Sequence, residues 1–317
     1  SSVQLYAKHT VVGTYVLSAN ANALSGASQQ LKIKAAAVSA LKFISSPQTV
    51  VAGQDSSQFQ LRLVDAYSNP ATSSSSYLID LNSTGGDFSI LSGANFVTTT
   101  EATIAAGTSD VYFYWRNNRQ AGSFTIGATD LGTSSLAPVE QAVTVTAAAA
   151  SQLVITSQPV NIMTGEIAPA ISFAIRDEYG NSQSLSTNST IYLYSTSTAA
   201  AFSQSASFAS TTASFVLPAG SNGGNVYYRD FNIGQPIIRI ADQQLNAPTD
   251  PDTGLSDAEQ VGTVVSGDAA SLKFIDSASV IRSGDSHMYR IQLQNRYGQP
   301  TIATYPIRAY LYTASDY

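Results

Sequence analysis

The residues best equipped for chemistry lie between Ala241 and Gln260, where Asp242, Asp250, Asp252, Asp257 and Glu259 crowd one polar stretch. Alternate carboxylates in Asp250-Pro251-Asp252 can aim oxygens at one hard cation, and calcium takes about six to eight oxygen ligands. Asp250, Asp252 and Asp257 are therefore the candidate calcium ligands. Gly254 stands where a strict acidic loop would place another acid, and the alternative is a polar loop with solvated carboxylates. No other cofactor is expected.

A second constellation unites an acid or amide, a phenol and, in two of its three occurrences, a closing asparagine. It occurs as Asp65-Ala66-Tyr67-Ser68-Asn69, Asp177-Glu178-Tyr179-Gly180-Asn181 and Asn295-Arg296-Tyr297-Gly298-Gln299. A turn accounts for it more economically than a binding site. Asp177 can accept from the backbone N–H two residues on, Gly180 can take a positive φ, and Tyr179 can lay its ring on the edge of a core.

Catalytic groups are scarce. His9 and His287 are the only histidines and stand near opposite ends, and cysteine is absent. No Gly-x-Ser-x-Gly elbow and no phosphate-cradling glycine loop occurs. No catalytic residue is assigned, and an enzyme is not expected. Lys–Asn cross-links would need a lysine in every first strand, but Lys42 and Lys273 have Val154 as their counterpart. Two sequons, Asn82-Ser83-Thr84 and Asn188-Ser189-Thr190, make Asn82 and Asn188 candidate glycosylation sites. Tyr112 and Tyr114 alternate with Phe113 and Trp115, so one pair faces a core and the other, as outward tyrosines, offers a sugar or protein platform or stiffens a sheet.

The elements positioning these residues alternate with period two. Phe59, Leu61 and Leu63 interleave with Gln60 and Arg62; Ile171, Phe173 and Ile175, then Tyr289, Ile291 and Leu293, repeat the register. Further strands are expected at Tyr77–Leu81, Thr190–Tyr194 and Ile307–Tyr312, and at Val111–Trp115 and Val226–Tyr228. No stretch presents an apolar face at helical spacing. Short strands between turn signals indicate an antiparallel sandwich.

The pattern is tandem. Leu41-Lys42-Phe43-Ile44, Leu153-Val154-Ile155-Thr156 and Leu272-Lys273-Phe274-Ile275 each open a repeat, at a spacing that suits a self-contained domain rather than a solenoid unit. Gly122–Ile126 matches Gly234–Ile238, and Gln141–Val145 matches Gln260–Val264. The same pair stands early as Gly13–Leu17 and Gln30–Lys34, preceded by Val3–Tyr6 in the place of Val111–Tyr114. The expected division is therefore residues 1–36, the closing strands of a partial domain; 37–149 and 150–268, two whole domains; and 269–317, the opening strands of another.

Residues "LKFISSPQTVVAG…FQLRLVDAYSNP" and "LVITSQP…ISFAIRDEYGN" resemble the bacterial immunoglobulin-like repeats of long surface proteins, including the invasin and intimin type. The resemblance covers essentially the whole chain. Asn295 departs from the aspartate of that turn and Ser68 from its glycine. The resemblance implies an all-β fold of tandem immunoglobulin-like antiparallel β-sandwiches. With short junctions such as Ala147-Ala148-Ala149-Ala150 in place of flexible tethers, the array is expected to be rod-like.

Composition bounds the partners. Charged residues are 11% and hydrophobic residues 44%, with a net charge of −6, against about 25% charged in a typical domain. An acidic chain gains nothing from counterion release, so no nucleic acid is expected, and no run is apolar enough to span a membrane. Absent cysteine points weakly to an extracellular or cell-surface location. The expectation is a stalk or filament that self-associates through its low-charge surface. An adhesin for a cell or glycan surface, and a carbohydrate-binding or spacer array beside an enzyme, are the alternatives.

Overall fold

Through the two sandwiches, strands on which apolar and polar residues alternate turn the apolar set inward in the computed structural model. Phe59, Leu61 and Leu63 are buried while Gln60 and Arg62 stay half-exposed. Described are residues 2, 4–117, 119–132, 136–245, 251–277 and 279–312. The chain divides into two units, Ser1–Ala148 with Tyr179–Asn181, and Ala149–Glu178 with Ser182–Tyr317.

Unit 1 contains β1 (Gly13–Ala19), β2 (Ala27–Ile33), β3 (Ala40–Phe43), β4 (Gln48–Val51), β5 (Phe59–Val64), β6 (Tyr77–Ser83), β7 (Asp87–Ser89), β8 (Glu101–Ile104), β9 (Asp110–Arg116), β10 (Gly122–Asp130) and β11 (Val139–Thr146). β1 and β2 form an antiparallel hairpin. A four-stranded sheet, β3-β5-β9-β7, faces a five-stranded one, β4-β11-β10-β6-β8. Between them lie Leu61, Phe59, Phe113 and Trp115 from the first and Ile79, Ile104, Ile126 and Val143 from the second. Phe113 stacks on Phe59 at 5.7 Å and meets the edge of Phe88 at 5.7 Å, so aromatic contacts add to area burial at the centre.

Unit 2 repeats this arrangement with β12 (Ala150–Ile155), β13 (Asn161–Met163), β14 (Ile171–Asp177), β15 (Ser189–Ser195), β16 (Ala200–Ser203), β17 (Ser214–Leu217), β18 (Gly223–Asp230), β19 (Ile237–Ala241), β20 (Ala258–Val261), β21 (Thr263–Val265), β22 (Ser271–Phe274) and β23 (Ile291–Gln294). Sheets β12-β14-β18-β16 and β17-β15-β19-β20 enclose a separate core that includes Phe173, Ile175, Ile191, Val226, Tyr228 and Ile240. β22 pairs with β23 as an antiparallel hairpin. In both units an early strand runs parallel to a late one, β4 beside β11 and β13 beside β21. The fold is all-β and immunoglobulin-like, and no helix among the described residues is long and apolar enough to cross a membrane.

Two expected strands are absent. Gln4–Tyr6 and Ile307–Tyr312 carry no strand, and Tyr289 precedes β23. The counterparts of these segments are held by ladders: β9 pairs with β5 and β7, and β15 with β17 and β19. Among the described residues, Gln4–Tyr6 and Ile307–Tyr312 have no such ladder partners, and a lone extended segment has nothing to satisfy its N–H and C=O groups except water.

Ser68, Gly180 and Gly298 occupy the same place in the three repeated turns at φ +64°, +84° and +76°. A Cβ on Gly180 would meet nothing within 4 Å, so Gly180→Ala should cost about 1 kcal/mol through backbone strain alone. Ser68→Gly should be neutral to stabilising, by up to about 1 kcal/mol, because serine already bears that strain. Denaturant midpoints of the two variants check both signs.

Candidate functional site

Asp65, 3% exposed, closes its turn by accepting at Oδ1 from Tyr67 N at 2.8 Å and Asn69 N at 3.0 Å. Its Oδ2 accepts from Ala36 N at 2.9 Å and Asn69 Nδ2 at 3.0 Å. Burial pushes this carboxyl up, but the donors on Asn69, Ala36 and Tyr67 outweigh it and hold the pKa at about 2. Asn69 then reaches back to the residues just ahead of β1, donating to Thr10 O at 2.8 Å and accepting from Val12 N at 3.0 Å.

Asn295 makes the same turn, its Oδ1 accepting from Tyr297 N at 2.9 Å and Gln299 N at 3.0 Å. Its Nδ2 faces two carbonyl oxygens, Thr164 O at 3.1 Å and Ser266 O at 2.7 Å, and the Thr164 hydroxyl at 2.8 Å, which itself donates to Ser266 O at 3.3 Å. This explains the departure from aspartate. A carboxylate cannot donate, whereas Asp65 faces N–H groups. Tyr179, expected on a core edge, packs against the core of unit 1.

The acidic stretch is organised by a residue that sequence reasoning passed over. Arg239 lies on β19 between buried Ile238 and Ile240, and its Nη2 is 2.5 Å from Asp257 Oδ2. The two side chains are 7% and 3% exposed. Burial pushes the Asp257 carboxyl up; Arg239 pulls it down, Asp252 and Asp242 push it up, and it ends above its ordinary value. An arginine amid Ile-Ile-Arg-Ile was the available signal, since a charge flanked by strand apolars needs a nearby counter-charge.

Of the candidate calcium ligands, Asp252 and Asp257 are adjacent, Asp252 Oδ2 accepting from Asp257 N at 3.0 Å. Asp250 lies outside the described residues. Asp242 Oδ2 accepts from Leu255 N at 3.0 Å. Among the described residues no group of three acids, histidines or cysteines is placed to hold a metal. Arg239 is the counter-ion of Asp257. A calcium titration tests the calcium reading: a rise in the melting temperature of unit 2 at millimolar calcium would support it, and a constant one would remove it.

The other candidates separate. On β9, Phe113 and Trp115 are fully buried, while Tyr112 is 46% exposed and its Oη accepts from Gln60 Nε2 at 3.2 Å. In unit 2 the place of Tyr114 is taken by Arg229, which lies 4.4 Å from the Phe208 ring centre. Tyr228 is buried and donates to Asp230 Oδ2 at 2.6 Å; burial and that carboxylate raise its pKa. Asn82 is exposed on β6, and Asn188 is exposed ahead of β15 with its Oδ1 accepting from Ala219 N at 2.9 Å. His9 and His287 are exposed beside Tyr15 and Tyr289, at ring distances of 4.0 and 4.7 Å.

No protein-family model matches the sequence, and no curated protein matches it. Solved structures do. The surface layer protein SbsC, domains 1–6, is 15% identical over 91% of this chain and 36% of that one, with a TM-score of 0.30. The Escherichia coli adhesin FdeC is 14% identical over 84% and 77%, at 0.38. The Yersinia pseudotuberculosis protein InvD is 15% identical over 82% and 72%, at 0.35. The chain spans about a third of the SbsC structure's length. At these values the likeness carries no functional argument, and the fold rests on the two-layered sheets themselves.

Proposed function

We propose that this chain is a segment of an extracellular structural protein, a surface stalk or filament component that acts through spacing and load bearing and performs no catalysis. The observation that carries this reading is the parallel pairing of early and late strands in each unit. Gln48–Val51 pair with Val143–Thr146, and Asn161–Met163 with Thr263–Val265. Tension entering at the start of the first strand and leaving at the end of the second slides the two along their common axis, so all rungs are loaded together and none peels first. The low-charge, hydroxyl-rich surface also favours packing of copies, since few charges must be desolvated.

Single-molecule pulling on the full chain tests it. Each unit should resist extension and then yield in one abrupt step. Gradual, low-force peeling would overturn the reading.

A second reading, adhesion, draws on one observation. Ile90, Leu91 and Val97 are exposed around the β7–β8 connection of unit 1, whereas the corresponding connection of unit 2 carries Gln204, Ser205 and Ala209 in their places. An apolar surface at one connection of unit 1 that the same connection of unit 2 lacks is what a binding module, unlike a uniform stalk, would carry.

A further inference from the structure

One short turn recurs in three places with the same geometry. Gln54 N donates to Val51 O at 2.9 Å, Glu166 N to Met163 O at 3.0 Å and Asp285 N to Arg282 O at 3.0 Å. The third residue is always a glycine at positive φ: Gly53 at +78°, Gly165 at +82° and Gly284 at +94°. At Gly284 a Cβ would meet nothing within 4 Å, so this backbone shape is intrinsic to the turn and not imposed by a neighbour.

At the other two, a tyrosine occupies the space that a side chain would fill. A Cβ on Gly165 would fall 2.7 Å from Tyr297 Cβ. Within unit 1, a Cβ on Gly53 would fall 2.0 Å from Tyr179 Oη, and Asn181 Oδ1 accepts from Ala121 N at 2.8 Å. Both tyrosines come from the Asx-x-Tyr-Gly turn, so two motifs far apart in sequence meet twice in the same pairing.

In unit 2 the polar contacts around the pair are complete. Asn295, 2% exposed, donates to Thr164 and Ser266, and Arg296 Nη2 is 2.9 Å from Glu166 Oε1. Thr164 is itself 2% exposed. Buried donors that match buried acceptors at this density define a fitted surface.

We infer that the glycine turn is a preformed receptor for the Asx-x-Tyr-Gly turn, an interaction surface whose partner is another repeat bearing that turn, and that in unit 2 it fastens the β22–β23 hairpin to the sandwich that β12–β21 build. The inference does not depend on the load-bearing reading. Tyrosine supplies shape and Asx supplies the choice of partner: an amide docks on carbonyl oxygens, and a carboxylate docks on N–H groups.

Asn295→Asp in the full chain is the discriminating variant. Aspartate keeps the turn, as Asp65 shows by accepting from Tyr67 N and Asn69 N. It places a charge against the carbonyl oxygens of Thr164 and Ser266 and removes both amide donors. Hydrogen exchange of the Ala270 amide, which bonds Gln294 O, and of the amides of Thr164 and Gly165 should accelerate by about tenfold or more. The main melting transition of unit 2 should not move. Tyr297→Ala should act in the same direction. Exchange within about twofold of wild type in both variants would overturn the inference. So would a fall of the main transition in step with the exchange, because Asn295 would then serve folding of the sandwich and not docking.

Discussion

Trp115→Ala should destabilise unit 1 by about 3–5 kcal/mol, a large part of the roughly 5–15 kcal/mol that holds a domain together. Trp115 is fully buried, and its ring lies 5.7 Å from that of Phe124. Its Nε1 donates to Gly85 O at 3.1 Å and Ser83 Oγ at 3.2 Å, and its backbone N to Ser56 Oγ at 2.9 Å. Truncation therefore opens a cavity between the sheets and removes one of the two donors, indole and Ser83 hydroxyl, on the Gly85 carbonyl. A Cβ on Gly86, at φ +89°, would fall 2.7 Å from the indole, so this glycine makes room for the ring. Calorimetry should show one transition displaced downward and the unit 2 transition unmoved. Equal displacement of both, or a loss under about 1 kcal/mol, would contradict a private core in unit 1. In the wild-type chain this residue is the sole tryptophan, so fluorescence follows unit 1 while circular dichroism follows both.

Arg239→Met should cost unit 2 about 3–5 kcal/mol at neutral pH by stranding a buried carboxylate. Asp257 is 3% exposed at its side chain and has Asp242 and Asp252 as electrostatic neighbours. Its pKa already stands above the ordinary value and should climb further without the guanidinium. For an acid whose folded pKa is raised, the folded state binds the proton more tightly than the unfolded one. The deficit must then shrink as pH falls through the folded pKa and be largest above it. Asp257→Asn in the Arg239→Met background should recover most of the loss. Melting curves of the single and double variants between about pH 4 and 8 check the slope and the rescue. A pH-independent loss with no rescue would show that Arg239 contributes packing of its aliphatic stem and not charge.

Much of this architecture could be read directly. Phe59, Leu61 and Leu63 point inward because side chains on extended backbone alternate, and the same is true of Ile171, Phe173 and Ile175. The same rule set Phe113 and Trp115 on the face opposite Tyr112 but left the direction open, and the fold turns the first pair inward. The positive φ at Gly180 followed from turn chemistry. Ile307–Tyr312 and Gln4–Tyr6 have the alternation but no strand, since pattern specifies a face while a ladder needs a second chain segment at the right distance.

Local pattern thus determined strand positions, turn types and the two-layered fold, because period and backbone preference act over a few residues. Tertiary structure alone decided who meets whom. It paired Arg239 with Asp257, set Tyr297 on Gly165, and turned the Asn295 amide toward Thr164 and Ser266. The reason is that a polar group's partner is chosen by what lies within about 3 Å after folding. Residues 131 positions apart, as Asn295 and Thr164 are, share no period that a sequence could display.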